Sequence, residues 1–164
     1  MTLRIAAALS ALALAACATM PPDGAHPEAR VYAVEADAEA DVDAALARAD
    51  ASGKRVLLVL GANWCHDSRA LAGWLESPRF AGIRARYEIV YVDVGVPQTG
   101  KGRNLEISKR FGLAELTGTP ALLVLTPDGT AVNLDTAAGW RNAASRSEDA
   151  IYTELTSLAE RPAP

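Results

Sequence analysis

Five consecutive aliphatic residues, Val56 to Leu60, constrain the fold of this chain more than any other segment. The run lies between the basic pair Lys54-Arg55 and Gly61. A continuous apolar run bounded in this way is typical of a strand that is buried on both faces, in a sheet that helices cover on each side. We therefore predict an α/β domain with this strand at the centre of its sheet.

Strand-like and helix-like segments alternate around this run, and they predict the order β-α-β-α-β-α-β-β-α. The helix-like segments carry apolar side chains at helical spacing. They lie at residues 37–51, 66–76, 104–111 and from 147 onward. The strand-like segments lie at residues 31–34, 56–60, 88–94, 121–126 and 130–134. The pattern predicts a central mixed β-sheet of four to five strands flanked by helices.

Composition limits the classes of function that the chain can have. Of its 164 residues, 50% are hydrophobic and 22% are charged, which favours one globular domain over a disordered chain. The formal net charge is -4, and no basic face or basic-aromatic interleaving is present in the sequence. We therefore expect no nucleic-acid partner.

The N-terminus has the layout of an export signal. Residues 1–16 combine Arg4 with the apolar run Ile5 to Ala13 and small residues after it, a stretch too short to span a bilayer. The junction Leu14-Ala15-Ala16-Cys17 resembles the bacterial lipobox, which implies that Cys17 becomes the acylated first residue. The segment also matches an ordinary A-x-A cleavage pattern, which would remove Cys17 instead.

The residues after Cys17 predict a tether and a single domain. Residues 17–30 are rich in Pro, Ala and polar residues without periodicity, which is typical of a flexible, lipid-anchored linker. We place the folded domain at residues 31–160 and a disordered tail at residues 161–164. The expected location is the cell envelope, facing the periplasm, with Ala18 favouring the outer membrane in a Gram-negative organism.

The cysteine and histidine counts restrict metal chemistry. The chain has two cysteines, Cys17 and Cys65, and two histidines, His26 and His66. If Cys17 belongs to the anchor, the folded part keeps one thiol. That set cannot form the Cys/His cluster of a structural zinc site, so we expect no metal and no other cofactor.

Three features of the folded part resemble the thioredoxin superfamily. The first is a buried strand and a short loop that lead into Trp64-Cys65-His66-Asp67-Ser68, similar to the family's Trp-Cys-x-x-Cys at a helix start. The second is Gly118-Thr119-Pro120 before a strand, and the third is the closing hairpin and helix. The resemblance implies a cis Pro120 beside the active thiol, with Trp64 flanking that thiol and Thr119 pairing with an extended substrate.

The position of Cys65 also carries a physical prediction of its own. A thiol at a helix N-terminus faces unsatisfied N–H groups and the positive end of the helix dipole, which favour the thiolate. Ser68 is placed to donate a hydrogen bond to the thiolate, and a protonated His66 would add a favourable charge. The carboxylate of Asp67 disfavours the thiolate. The alternative is that Cys65 is an unreactive buried residue, as many free cysteines are.

Two departures from the family pattern narrow the function. Ser68 stands where the family has its resolving cysteine, so no disulfide can form within the motif. Val59 stands where thioredoxins carry a buried acid. The chain therefore does not resemble a general dithiol reductase.

These features favour an envelope protein that exchanges thiols and disulfides through Cys65 alone. The expected partners are client proteins or small thiols, which would form a mixed disulfide with Cys65. Such chemistry suits a monothiol oxidoreductase or isomerase. Two alternatives stay open: a binding or assembly module that uses the fold without covalent chemistry, and a sensor whose thiol is oxidised. The sequence leaves the oligomeric state undetermined.

Overall fold

A computed structural model describes residues 26–164 of the chain. The predicted signal peptide and Cys17 therefore lie outside the described residues. The α-helices of the described part are Ala38–Ser52 (α1), His66–Glu76 (α2), Ala81–Arg84 (α3), Leu105–Arg110 (α4) and Glu148–Glu160 (α5). The strands are Arg55–Gly61 (β1), Tyr87–Asp93 (β2), Gly95–Val96 (β3), Lys101–Gly102 (β4) and Ala121–Leu125 (β5).

The sheet has the predicted strand β1 at its centre. Its order is β2-β1-β5, with β1 parallel to β2 and antiparallel to β5. A separate small hairpin pairs β3 with β4. The prediction of a mixed α/β fold with a central sheet flanked by helices is thus confirmed.

The side chains of β1 and β5 divide the core into two halves, one on each face of the sheet. Successive side chains of a strand point to opposite faces, so alternate residues of each strand enter different halves. Leu57 and Val59 pack with α2 and α5, whereas Val56, Leu58 and Leu60 pack with α1 and α4. Every one of these side chains is fully buried, and each such burial stabilises the fold by about 1.5–3 kcal/mol.

The first predicted strand, residues 31–34, is not a strand. The backbone of Tyr32 pairs with a side chain instead of a neighbouring strand. Its N–H donates to Asn63 Oδ1 at 3.2 Å, and its carbonyl accepts from Asn63 Nδ2 at 2.7 Å. One side-chain amide satisfies both backbone groups, so the segment is fixed beside the β1 end without extending the sheet.

The last predicted strand, residues 130–134, is reduced to a single bridge between Leu125 and Ala131. The Asn133 side chain takes over the pairing beyond that bridge. Its Oδ1 accepts from the Val124 N–H at 2.8 Å, and its Nδ2 donates to the Leu122 carbonyl at 3.0 Å. The main sheet of the described residues therefore has three strands, fewer than the four to five predicted.

Residues on both sides of the predicted domain also contact it. The described residues of the predicted linker, 26–30, lie on α2: the Ala29 N–H donates to the Arg69 carbonyl at 3.0 Å. At the other end, Arg161 forms an ion pair with Asp135 at 2.9 Å, so the predicted tail is attached at its first residue. Composition alone does not reveal such contacts.

Side-chain caps mark the starts of α1 and α5. The Asp37 side chain accepts from the Ala40 N–H at the start of α1, and Gly53 ends that helix with a φ of 71°. Ser147 accepts from the Ala150 N–H at the start of α5. None of the helices in residues 26–164 combines the length and apolar character needed to cross a membrane.

The double hydrogen bond of Asn133 predicts a large cost for its removal. In Asn133→Ala, a buried N–H and a buried carbonyl of β5 lose their partner, and we expect the free energy of unfolding to fall by about 2 kcal/mol. Urea denaturation followed by circular dichroism measures this change. The matched control is Asn142→Ala, at an exposed position whose side chain caps no helix, and it should change stability by about 0.5 kcal/mol or less. Equal stability of the two variants would contradict the prediction.

Candidate functional site

Cys65 occupies the N-cap position of α2, directly after the loop that leaves β1. Cys65 is 7% exposed, so the thiol lies just below the surface. The Sγ atom donates to the Thr119 carbonyl oxygen, with 3.3 Å between the two atoms. The thiol therefore points toward the Thr119-Pro120 segment, as the resemblance implied.

The sheet explains why two segments distant in sequence meet here. Because β1 and β5 are antiparallel and Leu60 pairs with Ala121, the end of β1 and the start of β5 share one edge of the sheet. Cys65 follows the first of these ends, and Pro120 precedes the second. The peptide bond between Thr119 and Pro120 is cis.

Ser68 lies in the first turn of α2 and is fully buried. Its hydroxyl has no hydrogen-bond partner among residues 26–164, so the predicted bond to Cys65 is not formed in this structure. The Thr119 hydroxyl is buried in the same way, without a partner in the described part of the chain. Two buried hydroxyl groups thus belong to residues close to the thiol and remain available as donors.

The contact between Cys65 and the Thr119 carbonyl requires the thiol form of the cysteine. A sulfur atom that donates to a carbonyl carries its proton, and the same carbonyl would repel a thiolate. The start of α2 and the cation of Arg69 place positive charge near the same thiol. Arg69 Nη1 donates to the carbonyls of Asn63 and Trp64 at 3.1 Å each.

His66 does not contact the thiol in this structure. Its Nε2 lies 3.3 Å from Glu28 Oε1, and its ring packs against the ring of His26 with 4.6 Å between centroids. Arg69 also contacts Glu28, at 2.8 Å, and this hydrogen bond lowers the pKa of the Glu28 carboxyl. A protonated His66 would therefore be paired with the Glu28 carboxylate, which would offset its charge.

Asp67 contributes to the site through the backbone of another segment. Its Oδ1 accepts from the Ala144 N–H at 2.9 Å, which anchors the turn Ala143–Ser145 to the start of α2. Nearby, Arg141 lies over Gly118, where a Cβ atom would be 2.3 Å from the Arg141 side chain. The chain before α5 therefore forms one wall of the site.

Trp64 is 52% exposed and flanks Cys65 on the surface. Its Nε1 donates to the Gly95 carbonyl at 2.9 Å. Gly95 is held in turn by the buried Asp93, whose Oδ1 accepts from the Gly95 N–H at 3.0 Å. The indole is thus fixed in orientation although one half of its surface is open to solvent.

Sequence reasoning missed two buried groups beneath the site. Tyr32 donates from its hydroxyl to the Ser68 carbonyl at 3.4 Å, and burial raises its pKa so that it stays protonated. Asp93 is buried at the end of β2, whereas Val59 packs in the core as expected. Asp93 could have been found from the sequence, because it is a charged residue at the end of an apolar strand. The sequence contains no comparable signal for Tyr32.

A groove of about 300 Å³ has Thr117, two residues before Thr119, in its lining. It is open to solvent, and both apolar and polar residues line it. These residues are Pro97, Leu105, Ser108, Lys109, Ala114, Glu115, Leu116 and Thr117.

Known proteins share this architecture. A family model described as thioredoxin-like matches residues 37–127. The crystal structure of a disulphide isomerase from Xylella fastidiosa Temecula1 is similar, with a TM-score of 0.70 and 34% sequence identity. That alignment covers 77% of this chain and 95% of the isomerase chain. A search of curated protein sequences gives no match.

The matched segment contains the features that make up the site. It begins before α1 and ends after β5, so it includes Cys65, Ser68, Thr119 and Pro120. The family model and the similar crystal structure indicate the same fold. The position of the thiol at the start of α2 agrees with both. The chain therefore belongs to the thioredoxin-like family.

Proposed function

We propose that this protein exchanges thiols and disulfides with client proteins through Cys65 alone. The observation that carries the proposal is the contact of Cys65 Sγ with the Thr119 carbonyl, at the start of α2 and beside Pro120. This arrangement presents the only sulfur of the described residues to a surface where an extended client segment can bind. The similarity to a disulphide isomerase supports the same chemistry.

Disulfide isomerisation needs only one protein thiol. The Cys65 thiolate attacks one sulfur of a client disulfide, which forms a mixed disulfide and releases the other client sulfur as a thiolate. A different client thiolate then attacks the client sulfur of the mixed disulfide, which forms a new client disulfide and restores the Cys65 thiolate. The number of disulfides is the same before and after, so no external oxidant or reductant is consumed. Ser68 in place of a second cysteine suits this sequence, because no competing thiol within the motif can release the client early.

The site contains the groups needed to stabilise the attacking thiolate. When a client segment approaches, Sγ leaves the Thr119 carbonyl and loses the contact that holds its proton. The first-turn N–H groups of α2 and the Ser68 hydroxyl then face the developing negative charge. We therefore propose Ser68 as a hydrogen-bond donor to the thiolate rather than to the resting thiol.

A non-covalent binding module is the second candidate function. The groove beside Thr117 favours it, since an exposed groove of about 300 Å³ can hold a client segment without any reaction at Cys65. The half-exposed Trp64 would extend that surface. In this case the thiol would be dispensable.

Replacement of Cys65 separates the two candidates. Cys65→Ala should abolish the reactivation of a protein with scrambled disulfides, because the mixed disulfide cannot form. The assay follows recovered activity of the scrambled protein after addition of a catalytic amount of each variant. Cys17→Ser is the matched control, and it should retain the full rate. Reactivation by Cys65→Ala at the wild-type rate would contradict the proposal and favour the binding module.

The role of Ser68 predicts opposite effects on stability and reactivity. Ser68→Ala removes a buried hydroxyl without a partner in the described residues, so stability should stay equal or rise. The rate of Cys65 alkylation at neutral pH should fall by roughly fivefold or more, since the thiolate loses a donor worth about 1 kcal/mol or more.

The control for this change is Ser77→Ala. Ser77 also has a buried hydroxyl without a partner in the described residues, but it lies at the other end of α2. Its replacement should leave the alkylation rate of Cys65 unchanged. Equal alkylation rates for Ser68→Ala and wild type would show that Ser68 does not stabilise the thiolate.

We also propose that Cys17 anchors the protein to a membrane of the cell envelope through a lipid. The lipobox-like junction before Cys17 supports this proposal. His26 lies beside His66, next to Cys65, and the stretch from Cys17 to His26 spans at most about 30 Å. An anchored chain would therefore hold its thiol close to the membrane surface.

Membrane attachment is tested by expressing the full chain in a Gram-negative host. The wild-type protein should sediment with membranes and incorporate radiolabelled palmitate, and Cys17→Ser should do neither, because it lacks the acylated sulfur. Cys65→Ser should behave as the wild type. Labelling that persists in Cys17→Ser would contradict the anchor.

A further inference from the structure

We propose that His26, Glu28 and His66 form a binding site for a divalent transition-metal ion, held together by the packing of the N-terminal segment on α2. These residues lie outside the thiol chemistry proposed above, and the inference does not depend on it. One ligand atom from each residue lies within 4.8 Å of the other two. The two histidines of the whole chain, forty positions apart in sequence, thus meet at one carboxylate.

The spacing within the cluster is close to that of a coordinated ion. Zinc lies about 2.0–2.2 Å from nitrogen and oxygen ligands, which puts two tetrahedral ligand atoms roughly 3.3 Å apart. His66 Nε2 and Glu28 Oε1 already have a separation of 3.3 Å. An ion at this place would lie between His66 Nε2 and Glu28 Oε1, and the His26 ring would move toward it to complete the site.

The surroundings orient each ligand for coordination. His26 Nδ1 lies 3.3 Å from the Pro27 carbonyl, which can only accept, so the neutral ring carries its proton on Nδ1 and keeps a free lone pair on Nε2. Arg69 Nε donates to Glu28 Oε2 at 2.8 Å, and Arg69 Nη2 lies at the longer distance of 3.5 Å from Oε1, the oxygen that faces His66.

The backbone of the N-terminal segment brings His26 and Glu28 to α2. At Gly73, a Cβ atom would lie 2.3 Å from the Pro27 carbonyl oxygen, so only glycine permits this close approach. The hydrogen bond from the Ala29 N–H to the Arg69 carbonyl fixes the next part of the segment. Tertiary contacts of the N-terminal segment with α2 thus bring the exposed side chains of Glu28 and His66 together with His26.

The donor set selects the class of ion. Two imidazoles and one carboxylate suit Zn²⁺ and Cu²⁺ better than Mg²⁺ or Ca²⁺, which prefer oxygen ligands. Three protein ligands leave a coordination position open to water. The cluster does not include the sulfur of Cys65, so this is a different kind of site from the four-ligand structural zinc site that the sequence excluded.

Calorimetric titration with Zn²⁺ tests the site. The parent protein is the Cys17→Ser/Cys65→Ser chain, in which no thiol remains to bind zinc. We expect one Zn²⁺ per chain, and at least tenfold weaker binding after His26→Gln, His66→Gln or Glu28→Gln, because each change removes one ligand. Glu106→Gln changes an exposed carboxylate on α4 in the same way and should leave the affinity unchanged.

A glycine pair tests the part played by packing. Gly73→Ala should displace Pro27 and weaken Zn²⁺ binding at least tenfold, although it removes no ligand. Gly139→Ala should have no effect, since a Cβ there meets no atom within 4 Å. Circular dichroism shows that each variant is folded. The proposal is overturned if the parent shows no saturable Zn²⁺ binding, or if His26→Gln, His66→Gln, Glu28→Gln or Gly73→Ala retains the parent affinity.

Discussion

The antiparallel pairing of β1 with β5 is the constraint on which the rest of the structure depends. It places Leu60 opposite Ala121, and so it brings the loop that carries Cys65 to the same sheet edge as Pro120. Both strands are buried on both faces, so a shift of one residue would send every side chain to the wrong half of the core. The register that stabilises the core therefore also determines the distance between the thiol and the Thr119 carbonyl.

Two asparagine side chains bind backbone groups that have no partner in a neighbouring strand. Asn63 binds both backbone groups of Tyr32, and Asn133 binds two backbone groups of β5. Each amide contributes one donor and one acceptor, which is what one residue of a neighbouring strand would contribute. Asn63 also belongs to the loop before Cys65, so the attachment of the N-terminal segment and the position of the thiol are coupled.

Local signals in the sequence were sufficient for the elements that depend on local physics. The apolar run of residues 56–60 predicted β1, and the helical spacing of apolar residues predicted α1, α2 and α5. The wrong predictions concern strand pairing. Residues 31–34 have a strand-like composition, but composition does not determine whether a strand or an asparagine side chain binds their backbone groups. The burial of Ser68 and the contact between His66 and Glu28 likewise depend on which segments pack against α2.

The sequence by itself determined the α/β class, the central strand, and the placement of one cysteine and one serine at a helix start, because spacing and local backbone preferences encode them. Tertiary structure decided the partners of those residues. It turned the thiol toward a carbonyl, left the Ser68 hydroxyl without a partner among the described residues, and brought two distant histidines to one carboxylate. Such contacts join residues that are far apart along the chain, and only the packing of the whole core decides which of them meet.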